Sequence, residues 1–267
     1  MLDQSQPIRI LFFGDIVGRP GRRALKQRLP ELKSQYQPDL ILANAENAAS
    51  GAGLTPAIYY ELRDLGLDAL TSGNHIWRRD EIFSLLADPN ERLIRPANYP
   101  ANDPGRGWLD LTVRGQKLRL INLIGNVHVG RNQLPVFPFA DSLLADPNRP
   151  KLTLIDFHGE VTSEKIAFGY YLDGQVSAIL GTHTHVQTND ARILAGGTAY
   201  LTDLGMTGPL DGVLGVDKEI IIKGFLSAKS QQHEVAEGRS QINGVYLELD
   251  SESGRALKIE LIHQELD

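Results

Sequence analysis

Ile8-Arg-Ile-Leu-Phe-Phe-Gly-Asp15 is the stretch from which the rest of the chain can be read. The apolar run from Ile8 to Phe13, closed by Gly14, reads as a buried strand. A helical stretch follows over residues 21–36, which Pro30 is expected to bend or interrupt. A strand and then a helix open a βαβ unit, and the pattern recurs. Residues 39–45 read as a second strand, Thr55-Pro56 as an N-cap with proline in the first helical position, Gly66 as the helix stop, and residues 68–72 as a third strand. Such alternation argues for a sheet with helices on its faces rather than a bundle or a pure sandwich.

Outward from that start, the texture changes over residues 90–150, where Pro96, Pro100, Pro104, Gly105 and Gly107 crowd together. A single domain over residues 1–267 is expected, with this region as a lid or edge insertion. Within it, residues 108–113 and 117–124 flank Arg114-Gly115-Gln116 as a hairpin, and the proline-broken stretch 135–139 reads as a packed surface loop. Alternation resumes with a strand at 151–157, a helix at 162–172 and a strand at 176–180. The tail is β-rich, with strands expected at 191–195, 198–202, 219–226, 245–249 and 257–262 forming a second sheet packed on the first. Residues 227–240 read as an exposed loop.

Composition narrows the functional classes. The 267 residues are 42% hydrophobic and 22% charged, an ordinary globular balance. Without cysteine there is neither a disulfide nor a thiolate metal site. With 33 acidic against 27 basic residues the formal charge is −6, so no extended basic surface for nucleic acid is expected. The polar first residues do not resemble a signal peptide, and no apolar run approaches the roughly 20 residues that span a bilayer. A soluble cytoplasmic protein is expected; a homo-oligomer is left open.

The chemistry lies where polar residues follow strands, because open α/β sheets bind ligands beyond the carboxyl ends of their strands. Asp15 follows the first strand, Glu46 and Asn47 the second, Asn74 and His75 the third, His158 a later one, and His183 and His185 another. Taken singly, Asp15 would serve as a helix cap, Gly73-Asn74-His75 as a turn, and a lone histidine as a core residue. Taken together those readings fail, since four of the seven histidines stand at these ends beside two acids and two asparagines. Carboxylate, amide oxygen and imidazole suit iron, manganese or zinc. Seven candidate ligands, Asp15, Glu46, Asn47, Asn74, His158, His183 and His185, exceed one tetrahedral ion and suit two metals sharing a carboxylate. Two metals about 3.5–4 Å apart activate water and clamp both oxygens of a phosphoryl displacement. Phosphoester hydrolysis is therefore the expected reaction. His75 is expected to be the general acid, because it follows Asn74 immediately and adjacent side chains seldom point at one ion.

The segments 14–18 (Gly-Asp-Ile-Val-Gly), 44–51 (Asn-Ala-Glu-Asn-Ala-Ala-Ser-Gly), 72–75 (Ser-Gly-Asn-His), 156–160 (Asp-Phe-His-Gly-Glu), 181–185 (Gly-Thr-His-Thr-His) and 202–209 (Thr-Asp-Leu-Gly-Met-Thr-Gly-Pro) resemble the YmdB-type branch of the calcineurin-like metallophosphoesterases. The resemblance runs in order through nearly the whole chain. It implies a four-layer α/β/β/α sandwich of two packed mixed sheets, with two divalent ions, iron or manganese foremost, at the strand ends. It further implies phosphodiesterase activity with 2′,3′-cyclic nucleotides as substrates. Carried over by residue, Asp15, Glu46, Asn47 and His185 would hold one ion, and Glu46, Asn74, His158 and His183 the other, with Glu46 as the bridge. Two departures from the wider superfamily stand out. Its usual Asp-x-His is Asp15-Ile-Val17 here, with Asn47 in place of the missing histidine, and its bridging aspartate is Glu46.

Gly14-x-x-x-Gly18-x-x-Gly21 lacks the ending of a P-loop and reads as turn and helix entry, with Arg19, Arg22 and Arg23 as solvated helix charges. No Gly-x-Ser-x-Gly nucleophile motif occurs. A nucleotidase on the same metals, and a regulatory nucleotide- or RNA-binding protein, are the competing readings. His128 is expected at the surface or in packing.

Overall fold

In the computed structural model, residues 6–227, 229 and 231–267 are described. Residues 1–5, on which the reading against a signal peptide rests, lie outside them. In chain order the elements are β1 (Ile8–Phe13), β2 (Asp15–Ile16), α1 (Gly18–Tyr36), β3 (Leu40–Asn44), α2 (Pro56–Asp64), β4 (Ala69–Thr71) and α3 (Ile82–Ala87). Then come β5 (Trp108–Val113), β6 (Gln116–Ile124), α4 (Val136–Leu144), β7 (Leu152–His158), α5 (Thr162–Tyr171) and β8 (Ala178–Thr182). The chain closes with β9 (Arg192–Ile193), β10 (Ala199–Leu201), β11 (Met206–Pro209), α6 (Lys218–Ser227), β12 (Ser240–Leu249) and β13 (Ala256–Leu266).

Strand β1 shows why the chain folds in layers. Successive side chains of a strand point to opposite faces, and here both faces are apolar. Ile8, Ile10 and Phe12 enter the layer between two sheets, while Leu11 and Phe13 enter a second layer beneath helices. One sheet runs β2-β11-β12-β1-β3-β4, with β13 also pairing along β12; the other runs β5-β6-β7-β8-β10-β9. Leu25, Leu29 and Leu32 of α1 and Leu62 of α2 cover the first sheet, and Val136 and Ala140 of α4 and Phe168 of α5 cover the second. The result is an α/β/β/α sandwich of two mixed sheets.

The local signals of the first units are realised: Thr55 Oγ1 accepts from Ile58 N at 3.3 Å, and Gly66 turns the chain with a φ of 96°. Helix α1 differs from expectation, starting at Gly18 and running through Pro30. Pro30 and Lys26 lie on the exposed face, so the carbonyl that proline leaves unbonded meets water while the leucine stripe stays buried.

Four further expectations are corrected. Residues 219–226, read as a strand because of three consecutive isoleucines, belong to α6. Asp217 Oδ1 accepts from Glu219 N at 2.9 Å and Ile220 N at 3.2 Å, an N-terminal cap that overrides β propensity. The tail strands do not make a sheet of their own: β9 and β10 extend the second sheet, whereas β12 and β13 complete the first, with Ile8 opposite Leu249 across β1 and β12. Residues 135–139 enter α4, whose Val136 is fully buried. Residues 227–240 include 228 and 230, which lie outside the described residues; of the rest, Ala236 is buried and Val235 bridges to Val216. The hairpin β5–β6 forms as expected, and β6 pairs in parallel with β7. Among the described residues no helix is long and apolar enough to cross a membrane.

Leu120, fully buried in the layer between the sheets, tests that packing. Leu120→Ala should cost about 2–5 kcal/mol of unfolding free energy, read from the midpoint of urea denaturation.

Candidate metal centre

Strands β1, β3 and β4 are mutually parallel, as are β6, β7, β8 and β10, so the carboxyl ends within each group lie along one edge. The two edges meet. His158, the last residue of β7, stands 3.2 Å from Glu46 Oε2, just past β3. The backbone N–H of His183, just past β8, donates to Asp15 Oδ2 at 3.1 Å. Asn74 Oδ1, past β4, lies 3.0 Å from His158 Nε2. Asn47 Nδ2 lies 3.1 Å from Glu46 Oε1 and 3.0 Å from His185 Nε2. His75 Nδ1 lies 2.8 Å from Asn47 Oδ1. All eight predicted residues thus come together. His128 does not join them; it is exposed on the loop after β6.

Support from behind determines which atoms face inward. Asp156, buried, accepts from Thr71 Oγ1 at 2.5 Å, Asn44 Nδ2 at 3.0 Å and Thr182 Oγ1 at 2.6 Å. Thr182 thereby spends its proton on Asp156 and accepts from His158 Nδ1 at 2.9 Å, which turns Nε2 toward Glu46 and Asn74. His185 Nδ1 donates to the Leu214 carbonyl at 2.9 Å, leaving its Nε2 to face Asn47. His183 Nε2 lies 3.0 Å from Glu160 Oε2. His183 and His185 both adopt left-handed backbone, with φ of 101° and 67°. The segment between them is pinned by Asp203, whose Oδ2 accepts from Thr184 N at 3.1 Å and from Lys165 Nζ at 2.6 Å.

Electrostatics follow from burial. Desolvation would raise the Glu46 carboxyl, but His158, His75 and His183 overcome it and hold the group below the usual carboxylate range. Burial lifts Asp15 to about 7, against the pull of His185 and His158. Burial would lower His158, yet Glu46, Asp15 and Asp156 carry it up to about 9. His183 is pushed down to about 3, by burial first and by His158 next. Burial also lowers His75.

These residues fit a cation. Asp15 Oδ1 is buried without a hydrogen-bond partner among the described residues. His158 Nε2 stands 3.0 Å from Asn74 Oδ1 and 3.2 Å from Glu46 Oε2, contacts that repel unless a proton or a metal ion stands among them. Ligand atoms of Glu46, His158 and His183 lie within 4.8 Å of one another. Room for an ion depends on Gly73, where a Cβ would sit 2.2 Å from Glu46 Oε2 and 2.3 Å from His158 Nε2.

Several contributors escape a reading by strand ends. Arg22, read as a solvated helix charge, instead donates to the Ala48 carbonyl at 2.6 Å and to Glu61 at 2.9 Å, bracing the loop after Asn47. Arg79 reaches the carbonyls of Ala49 and Ala52 in the same loop. Arg19 and Arg23 are exposed, as expected. A cleft of about 630 Å³ opens over His75, Glu160 and His185, and the strap His233 to Val235 borders it. Only Glu160 carried a sequence signal, two residues beyond His158.

An α/β/β/α sandwich with carboxylates, amides and imidazoles at the meeting of its strand ends defines a hydrolase of metallophosphoesterase type. The family model described as YmdB-like protein matches residues 11–262, and the chain belongs to that family. It is 49% identical over 257 residues to the 2′,3′-cyclic-nucleotide 2′-phosphodiesterase of Bacillus subtilis, covering 96% of both chains. A crystal structure of a phosphatase from Mycoplasma pneumoniae superposes with a TM-score of 0.94 at 35% identity, covering 98% of this chain and 95% of that one. A protein from Thermus thermophilus gives 0.90 at 39%, covering 97% and 100%.

Two outcomes test the centre. Gly73→Ala should keep the fold but lower affinity for Mn²⁺ at least 100-fold in a calorimetric titration, since the methyl group displaces Glu46 or His158. The second concerns pH. In chelator, Asp15 and His158 both hold protons more tightly when folded than their ordinary values of 3.8 and 6.5, so folding takes up protons. The stability these two groups supply is present at low pH and is lost as pH rises, through about 7 for Asp15 and about 9 for His158. The lowered His183 and His75 act in the opposite sense below about 6.5, so melting temperature in chelator should fall from pH 7 to pH 9, where His158 dominates, and Asp15→Asn should flatten the end of that decline near pH 7.

Proposed function

We propose that the chain is a cytoplasmic dimetal phosphodiesterase acting on small nucleotides, with 2′,3′-cyclic nucleotides as the substrate class. The observation that carries this reading is the buried acceptor cluster of Asp15, Glu46, Asn74 and His158, in which one carboxylate oxygen has no partner. The curated Bacillus relative supports the substrate class.

In this reading Asp15, Glu46, Asn47 and His185 would hold one ion and Glu46, Asn74, His158 and His183 the other, with Glu46 shared between them. Iron or manganese, with zinc as the next choice, suits the oxygen and nitrogen donors. When bound, such ions would supply Lewis acidity and lower the pKa of water. The protein supplies the rest. Thr182 and Asp156 hold His158 in the tautomer that offers Nε2, and the Leu214 carbonyl does the same for His185. Asn47 turns its Nδ2 toward Glu46 and His185, and a half-turn of the amide would present oxygen to an ion instead. His75 delivers the proton to the departing alkoxide. Its Nδ1 is engaged by Asn47, and it lines the cleft, where an arriving phosphate anion favours the imidazolium that burial disfavours.

The test is a panel of 2′,3′-cyclic, 3′,5′-cyclic and monoester nucleotides with Mn²⁺ and with chelator, alongside elemental analysis. Two ions per chain and preferred cleavage of the 2′,3′-cyclic ester are expected. At most one ion after reconstitution would overturn the dimetal centre, and preference for monoesters would make the chain a nucleotidase. His75→Ala should retain both ions and slow the cyclic nucleotide by about 10²–10⁴-fold, with a far smaller loss on an activated p-nitrophenyl ester. Equal losses on both substrates would remove His75 from the acid role.

A further inference from the structure

The centre opens on two clefts of different chemistry. The first, over His75 and His185, is lined among the described residues by no Trp, Tyr or Phe and carries the carboxylates of Glu160 and Glu234. The second, about 580 Å³, starts at Asn74 and is walled by Trp77, Arg78, Tyr99, Asp103 and Arg131. Arg78 borders both.

We propose that the second cleft is the nucleobase subsite, an assignment that rests on the reading of the substrate as a nucleotide. Three observations carry it. Among the described residues Trp and Tyr line this side alone: half-buried Trp77 packs edge to face on buried Tyr99, with ring centroids 4.7 Å apart. Arg78 and Arg131 are exposed, come from different segments, and make no side-chain hydrogen bond or ion pair among the described residues. Planar guanidinium groups stack on bases, as aromatic rings do. Asp103 and Asn132, on the same walls, likewise leave side-chain oxygen and nitrogen without a hydrogen bond. A carboxylate and an amide are the groups that read the amino and ring-nitrogen edge of a base.

The wall is preformed. The loop bearing Arg131 and Asn132 holds left-handed backbone at Gly130 (φ 69°) and Asn132 (φ 61°), and Gln133 Nε2 ties it to the carbonyls of Gly125 at 2.8 Å and Val129 at 2.6 Å. In the first cleft Arg79 is already engaged by the carbonyls of Ala49 and Ala52. The base therefore lies on the Asn74 side, and the ribose oxygen that departs stays on the same nucleoside, between the base and the neighbouring His75.

The experiment compares kcat/KM for adenosine 2′,3′-cyclic phosphate with that for bis(p-nitrophenyl) phosphate, which carries no base, in the wild type, Arg131→Ala and Asp103→Asn. Each substitution should lower the ratio of the two values about tenfold, mainly through the nucleotide KM. A ratio within twofold of wild type in both variants overturns the subsite. Because two tryptophans are present, Trp108→Phe isolates Trp77 fluorescence for a readout independent of turnover. Adenosine 3′-monophosphate should quench it, with half-saturation about tenfold higher in Arg131→Ala; absence of quenching overturns the proposal. Hydrolysis of the base-free ester but of no nucleotide, with quenching retained, would sink the substrate reading above and leave the base site standing.

Discussion

Two carboxylates, Asp15 and Glu46, are buried to 0% and 1% exposure where the strand ends meet, and the structure around them is organised by the need to balance that charge. An isolated buried carboxylate is costly enough to protonate or to unfold its surroundings, so partners must arrive from elsewhere in the chain. Glu46 comes from one sheet and His158 from the other. The apolar layer between the sheets and the polar centre at its edge are therefore parts of one arrangement: Phe12, Leu42, Leu154 and Leu180 bury the strands whose next few residues are the candidate ligands.

Precision at such a centre depends on what lies behind it. Asp156, Thr182 and Asn44 fix His158 through hydrogen bonds no longer than 3.0 Å between Asp156 and its partners. The left-handed backbone at His183 and His185 is a strained conformation, of order 1–3 kcal/mol for each non-glycine residue, that persists where contacts over-determine it. Lys165 supplies such contacts from helix α5, donating both to Asp203 and to the Thr182 carbonyl at 2.8 Å. Groups held in this way need little reorganisation when substrate arrives, which is where electrostatic catalysis gains most.

The departures from the wider superfamily acquire a structural account. At the position of the missing histidine, Val17 is buried at 2% exposure and packs against Gly208 and Gly215. Asn47 occupies the space between Glu46, His185 and His75. Its amide carries donor and acceptor on one side chain, so it engages a histidine and a carboxylate together.

Much of the centre was legible because each ligand type follows a strand, and strands announce themselves by apolar runs and closing turns. Thr55, Gly66 and the hairpin of β5 and β6 were legible for the same local reason. Residues 219–226 were misread because β-branched residues outweighed the cap at Asp217, two residues before the run begins. Arg22 and Arg79 were beyond reach, since nothing local distinguishes a solvated arginine from one whose partner is a loop carbonyl. By itself the sequence determined which residues stand at the strand ends and what chemistry they offer, because period and turn signals act over a few neighbouring positions. Only the tertiary structure decided which sheet each tail strand joins, which residues brace the ligands, and which side of the centre Trp77 borders. Contacts such as Thr71 to Asp156, separated by 85 residues, form through closure of long loops around a shared core, and no short-range pattern encodes them.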